Sequence, residues 1–417
     1  MAEAVSVDSE IGPLESVIVH SPGIEIEAMT PTTLAQVLYN DIVPLGVVAE
    51  EHARLKRVLA LFAEVLEFKE LLREAIAGPE VRADLVDRVV RSFGIEERRS
   101  ELLTLGPDEL IRVLIGGFPA RKDSLTRFLD PAEFDLHPLP NLYFTRDGAM
   151  VYRKKVIIGA MAYGVRQLEA LLAEFIFRRS PRLHSTGVIF DGASERVAGV
   201  TLEGGDFQLL KEDLLVIGLS DRTTSQAIDL IAARIAETRE TPLRLFAVLL
   251  PSERATIHLD MIFTMVDRDR AVVYAPHILG KDRRPVVRMD IDPAGGRRIR
   301  RVDSLLGGLA EAGLPLQPVL CGMGDPVLEQ REQWLSATNF LAVAPGKIVG
   351  YSCNVATLEA LDRAGFAVRG ADHFLSGRES PSAYEKLVIA VDGIELARGG
   401  GGVRCMTMPV RRASVGW

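Results

Sequence analysis

Hydrophobic positions along this chain keep two different rhythms, and the places where the rhythm changes divide it. Leu14 to His20, "LESVIVH", reads as a strand that stops at the turn "SPG". From about Val48 to Leu66 the apolar residues recur at helical spacing, which predicts one long helix. Between Lys69 and Asp135 the texture becomes charged and helix-forming, in "KELLREAIA", "VRADLVDRVVRSF", "IEERRSELL" and "PDELIRVLIGGF". The breaks between these segments carry the Gly, Pro and Asp that stop and start helices. Residues 69–135 therefore read as an inserted helical domain, with 1–68 and 136–417 forming the rest.

After Pro138 the pattern turns β-rich. Strands are expected at Lys154–Met161, Asp213–Leu219, Leu243–Leu250, Ile257–Val266 and Arg270–Ala275, with a hairpin over Phe340–Tyr351 turning at "PGK". Helices are expected in "RTTSQAIDLIAARI" and "NVATLEALDRAG", each after a strand and opened by Thr or Asn. This is a mixed α/β layout, for which a doubly wound sheet is the default arrangement.

Composition narrows the class. At 417 residues, 47% hydrophobic and 25% charged, the chain has the make-up of an ordinary globular protein. The net charge of −8 argues against a nucleic-acid partner, which needs a basic face. No uncharged apolar run is long enough to span a membrane, and the first twenty residues lack the basic-then-apolar order of a signal peptide. Cys321, Cys353 and Cys405 are too few and scattered for a disulfide framework, so a reducing cytoplasm is expected.

Four stretches set reactive groups among apolar neighbours: "PNLYFTRD" (140–147), "EGGD" (203–206), "HLD" (258–260) and "GGGGVRCMTMP" (399–409). His258 and Asp260, two apart in a strand-like run, are expected on one face, for acid–base work or for metal. The seven histidines are dispersed and neither HExxH nor CxxC occurs, which weakens the metal reading. Alone, HLD reads as a structural pair, EGGD as a tight turn, and Arg146–Asp147 as a surface ion pair. Cys405 differs, because a glycine-rich approach suits a nucleophile that needs close backbone access to its substrate. A dinucleotide loop is excluded, since no helix opens from these glycines.

In this order, "FTRD", "EGGD", "HLD" and "RCMTMP" resemble the signatures of the arginine deiminase family. The likeness runs from "GPLESVIVHSPG" to "CMTMP" and takes in "DPVLEQREQW". It implies a pentein-type α/β propeller of five pseudosymmetric ββαβ units with an inserted helical bundle, replacing the doubly wound default. It also implies hydrolysis of L-arginine to L-citrulline and ammonia through a covalent amidino-thioether on cysteine, with no cofactor or metal. The partner is a small guanidino molecule; homo-oligomerisation stays open.

A guanidinium stays protonated at neutral pH, so its site needs carboxylates in forked geometry. By resemblance Cys405 is the nucleophile, His258 the proton donor and water activator, and Glu203 the group that orients it. Asp147 and Asp260 grip the guanidinium. Asn141 and Phe144 line the pocket, Arg166 and Arg222 hold the α-carboxylate, and Asp206 backs the guanidinium site. The chain departs from the family at Gly400, where many members carry a further carboxylate-binding arginine. It departs also at Cys353-Asn354, in place of "RN", and at "LSATN" after Trp334. One lost charge-assisted contact costs about 1.5–3 kcal/mol, so the alternative is a deiminase or amidinotransferase for a different guanidino compound.

Overall fold

The computed structural model describes residues 3–39 and 41–417. Among these, five sheets repeat one order of strands. A hairpin pairs two strands antiparallel, a helix then crosses over, and a third strand pairs parallel with the second, as a parallel neighbour requires. The second such unit runs Ala149–Tyr152, Lys155–Ile158, helix Gln167–Arg179 and Val188–Asp191. The third runs Phe207–Lys211, Leu214–Leu219, helix Ser225–Ala236 and Leu243–Leu249. The fourth uses Phe263–Asp267, Arg270–Val273, helix Leu305–Glu311 and Gln317–Leu320. The fifth uses Leu341–Ala344, Lys347–Tyr351, helix Val355–Arg363 and Leu387–Val391.

The first unit is assembled from both ends of the chain. Met408–Arg412 pairs antiparallel with Leu14–Val19, which pairs parallel with Glu64–Glu67 after the helix Leu45–Leu59. That closure matters for the chemistry. It fixes the strand that begins three residues after Cys405, so the glycine-rich approach ends on a rigid element.

Several sequence expectations need correction. The helix expected to reach Leu66 stops at Leu59, because Glu64–Glu67 is drawn into the first sheet. The strand expected from Ile257 begins only at Phe263; Leu259–Met261 is a 3-10 turn. Its backbone is captured locally, with the Leu259 N–H donating to Asp206 Oδ1 and the Met261 N–H to the His258 carbonyl. The hairpin Val286–Ile291/Arg297–Val302, which the sequence reading does not mark, extends the third sheet. Thr224 caps its helix by accepting the Ala227 N–H, whereas Asn354 turns its side chain to the Leu335 carbonyl instead.

The charged segment folds into helices Phe68–Ala75, Pro79–Phe93, Arg99–Thr104, Pro107–Gly116 and Leu125–Leu129. Their apolar faces, including Leu71, Leu85, Val89 and Leu114, join one buried cluster with Leu172, Phe175 and Ile176 of the second unit's crossover helix. No helix among the described residues is long and apolar enough to cross a membrane.

Candidate active site

Three of the four polar stretches, far apart in sequence, line one cavity of about 230 Å3, and the fourth, EGGD, lies buried behind it. Cys405, His258 and Asp147 line it together with Asn141 and Phe144. Arg166 and Arg222 line it as well. Glu203, Asp206 and Asp260 do not reach the cavity surface; they are fully buried behind it.

Close packing of backbone explains the glycines. EGGD forms the expected tight turn, a 3-10 turn over Gly204–Asp206. A side chain at Gly205 would run into the His258 ring. At Gly401 it would meet Phe144 and sit 3.1 Å from Cys405 Cβ. The cysteine is then held from both sides. Its N–H donates to Asn339 Oδ1 at 3.0 Å, and its carbonyl accepts the Arg146 N–H at 3.1 Å. Asn339 belongs to "LSATN", the segment that departs from the family pattern, and sequence reasoning gave it no role.

Glu203 organises the base. Its Oε2 lies 3.0 Å from His258 Nε2 and accepts from Arg222 Nη1 at 3.2 Å, with Arg166 Nη1 at 3.6 Å. Burial works against its charge, but the His258 hydrogen bond and the two guanidinium groups outweigh it and hold Glu203 near 2. An ionised carboxylate only accepts, so His258 donates through Nε2. His258 Nδ1 stands 3.8 Å from Asp147 Oδ1. Burial pulls the imidazole down, yet Asp147 and Glu203 raise it to about 9, and it carries a proton at neutral pH.

Asp147 is paired with Arg166 rather than with its neighbour Arg146. Arg166 Nη1 donates to Asp147 Oδ2 at 2.7 Å, and Gly205 N–H donates to Oδ1 at 3.2 Å. Arg166 also forks onto Glu169, at 2.8 and 3.1 Å. It is therefore a buried, saturated ion-pair residue, not an arginine on a solvated surface. Arg146, expected in a surface ion pair, is buried and donates to the Arg404 carbonyl at 3.3 Å. Burial and the Arg404 charge bring it down to about 9.

Asp260 and Cys405 adjoin. Asp260 Oδ2 lies 3.7 Å from Cys405 Sγ and accepts from Arg404 Nη1 at 2.7 Å. Asp260 Oδ1 has no partner among the described residues. Arg404 in turn forks onto Glu10 at 3.0 and 3.1 Å. Arg404 was legible as part of "RCM"; nothing near Glu10 in the sequence announces it. Burial, then the Asp260 and Asp147 charges, push the Cys405 thiol well above its ordinary range. His258 and Asp260, expected on one face of a strand, serve opposite sides of the 3-10 turn, toward Glu203 and toward Arg404.

Asp206 is likewise fully buried. Ser220 Oγ donates to it at 2.6 Å, and burial raises its carboxyl to about 7. Asp147, Glu203 and His258 offer ligand atoms within 4.8 Å of one another, a spacing a cation could span. Both carboxylates are already committed to guanidinium groups. Leu38, Asp41, Arg254, Trp334 and Arg398 also line the cavity, and sequence reasoning missed each of them in that place. An uncharged nucleophile, a protonated imidazole and the Oδ1 of Asp260, unpartnered among the described residues, suit the site to attack on a planar, positively charged carbon.

The family model for arginine deiminase matches residues 35–412. An arginine deiminase of Bacillus cereus is 32% identical over 439 aligned positions, covering all of both chains. In fold the chain resembles SxtG, an amidinotransferase of Microseira wollei from the saxitoxin biosynthetic pathway. The TM-score is 0.52 at 14% identity, over 99% of this chain and 98% of that one. It also resembles DDAH from Pseudomonas aeruginosa in complex with citrulline, with a TM-score of 0.50 at 15% identity over 95% and 98%. With Asp147, His258 and Cys405 gathered at one cavity, Glu203 buried behind them and a family match over nearly its whole length, this chain belongs to the arginine deiminase family.

Proposed function

We propose that this protein hydrolyses L-arginine to L-citrulline and ammonia. The observation that carries the reading is the meeting of Cys405, His258 and Asp147 at one cavity, with Glu203 and Asp260 buried directly behind them. The substrate guanidinium enters between Asp147 and Asp260. Its charge offsets theirs, which stabilises the Cys405 thiolate, so that the thiol gives up its proton to solvent as the substrate binds. The thiolate attacks the guanidinium carbon, and the bond from that carbon to a terminal nitrogen breaks. His258 gives its proton to the departing nitrogen, which leaves as ammonia. A water then adds to the same carbon as His258 takes its proton, the C–S bond breaks, and the ureido product departs with the thiolate restored. Glu203 keeps the imidazole oriented throughout.

The repeated strand order supports a five-bladed propeller arrangement, with 69–135 as an inserted helical domain on its second unit. Three free cysteines fit a reducing cytoplasm. The test is incubation of folded protein with L-arginine, quantifying citrulline and ammonia. A one-to-one yield that vanishes in Cys405→Ala supports the assignment. Folded protein that forms no citrulline refutes it, and transfer of the amidino group to an added amine would make it an amidinotransferase.

A further inference from the structure

Gly400 carries no side chain and adopts φ +97°, a region that L side chains rarely enter. The space beside it is not empty. Arg254, from the 3-10 turn Arg254–Thr256 just before His258, brings Nη2 to 3.5 Å from where a Cβ on Gly400 would lie. Arg254 and Arg222 line the same cavity as Cys405.

The two arginines offered by resemblance for the carboxylate are not equally free. Arg166 is taken by Asp147 and Glu169. Arg222 gives one nitrogen to Glu203 and stacks on the Tyr163 ring at 4.6 Å. Arg254 makes only a long contact, Nη1 to the Leu38 carbonyl at 3.5 Å, and has no carboxylate in ion-pair range among the described residues. Asp41, the other acid at this mouth, lies 3.8 Å from Arg398. A half-buried guanidinium without a counter-charge, placed beside a second one, is a site for an anion.

We propose that Arg254 is a specificity residue that, with Arg222, holds the α-carboxylate of the substrate. It supplies from the neighbouring turn the guanidinium that position 400 lacks. This rests on the deiminase reading, and it selects free L-arginine over guanidino compounds that lack the carboxylate.

Binding in the Cys405→Ser protein separates the inference from turnover. Calorimetry is run with L-arginine and with agmatine, its decarboxylated counterpart, on Arg254→Gln, Arg254→Lys and the parent. Arg254→Gln is expected to weaken L-arginine ten- to a hundredfold and to leave agmatine within about twofold. Arg254→Lys, which keeps the charge but not the fork, falls between. Equal weakening of both ligands, undiminished L-arginine affinity, or no L-arginine binding by the parent each overturns the inference. Citrulline formation by the native enzyme decides the deiminase reading independently of all three.

Discussion

His258 Nε2 and Glu203 Oε2 lie 3.0 Å apart, Glu203 fully buried and His258 buried except where it lines the cavity. The pair explains why a buried histidine stays protonated. Burial alone would strip its proton, and the carboxylates reverse that, raising it from 6.5 to about 9.

Glu203→Gln removes the charge and weakens the hydrogen bond. A hydrogen bond to a charged group is worth about 1.5–3 kcal/mol, so His258 is expected to fall by roughly one to two pH units. The alkaline limb of kcat/KM, set by loss of the acid form, should move from about pH 9 in the native enzyme toward neutrality. The sign for stability follows. A raised histidine contributes fully below 6.5, and that contribution is lost as pH climbs through about 9. Glu203, lowered from 4.5 to about 2, contributes above 4.5 and loses it as pH falls toward 2. The variant should therefore show weaker alkaline and acid destabilisation than the native protein. An alkaline limb that stays in place would sink this account.

Asp260→Asn should drive two readouts in opposite directions. The Cys405 thiol is held protonated by burial and then by Asp260 and Asp147. Removing the Asp260 charge lowers the thiol pKa, and each unit gives about tenfold more thiolate at fixed pH. Alkylation of Cys405 by iodoacetamide, followed by peptide mass spectrometry, should quicken. Arginine turnover should drop by roughly a hundredfold or more, because the guanidinium loses one of its carboxylates. If both rates fall together, Asp260 is not what holds the thiol neutral.

The chemistry was legible because reactive residues sat in short ordered motifs, and each motif survives as a local turn. Cys405 stood out by its glycine-rich approach, whereas His258 and Asp147, bland when read alone, were singled out only by the resemblance of the four motifs taken in order. Partners that depend on tertiary approach were not legible. Glu10 meets Arg404 across almost the entire chain, Asn339 reaches Cys405 from the turn just before the fifth unit, and Arg166 takes Asp147 in place of the adjacent Arg146. The strand errors have the same origin. "IHLDMIFTMV" has strand propensity throughout, but Asp206 captures the Leu259 N–H and winds the first half into a turn. Glu64–Glu67 continues a helical pattern until a neighbouring strand offers it a ladder.

Arg404→Met tests the network under the nucleophile. Arg404 is fully buried and neutralises both Glu10 and Asp260. Removing one partner of a buried ion pair strands the others and typically costs about 3–5 kcal/mol. Chemical denaturation should show a loss of that size, whereas Glu10→Gln with Arg404→Met should recover part of it, because one stranded carboxylate is then neutral. A single variant as stable as the native protein would mean the network does not support the fold.

Gly400 and Gly401 are adjacent and should fail for different reasons. Alanine at Gly400 meets no backbone, and Arg254 lies at an ordinary contact distance of 3.5 Å. The penalty there is the positive φ of 97°, about 1–3 kcal/mol of strain. Alanine at Gly401 is placed against Phe144 and 3.1 Å from Cys405 Cβ, so the nucleophile or the pocket wall must shift. A displacement near 1 Å at a reacting atom costs on the order of a hundredfold in rate. Gly401→Ala should therefore lower kcat by that order, while Gly400→Ala lowers the melting temperature and leaves kcat within about threefold. Steady-state kinetics beside thermal unfolding separate the two. Equal kcat losses would show that the glycine run serves only to relieve backbone strain, and that its close approach to Cys405 has no part in positioning the thiol.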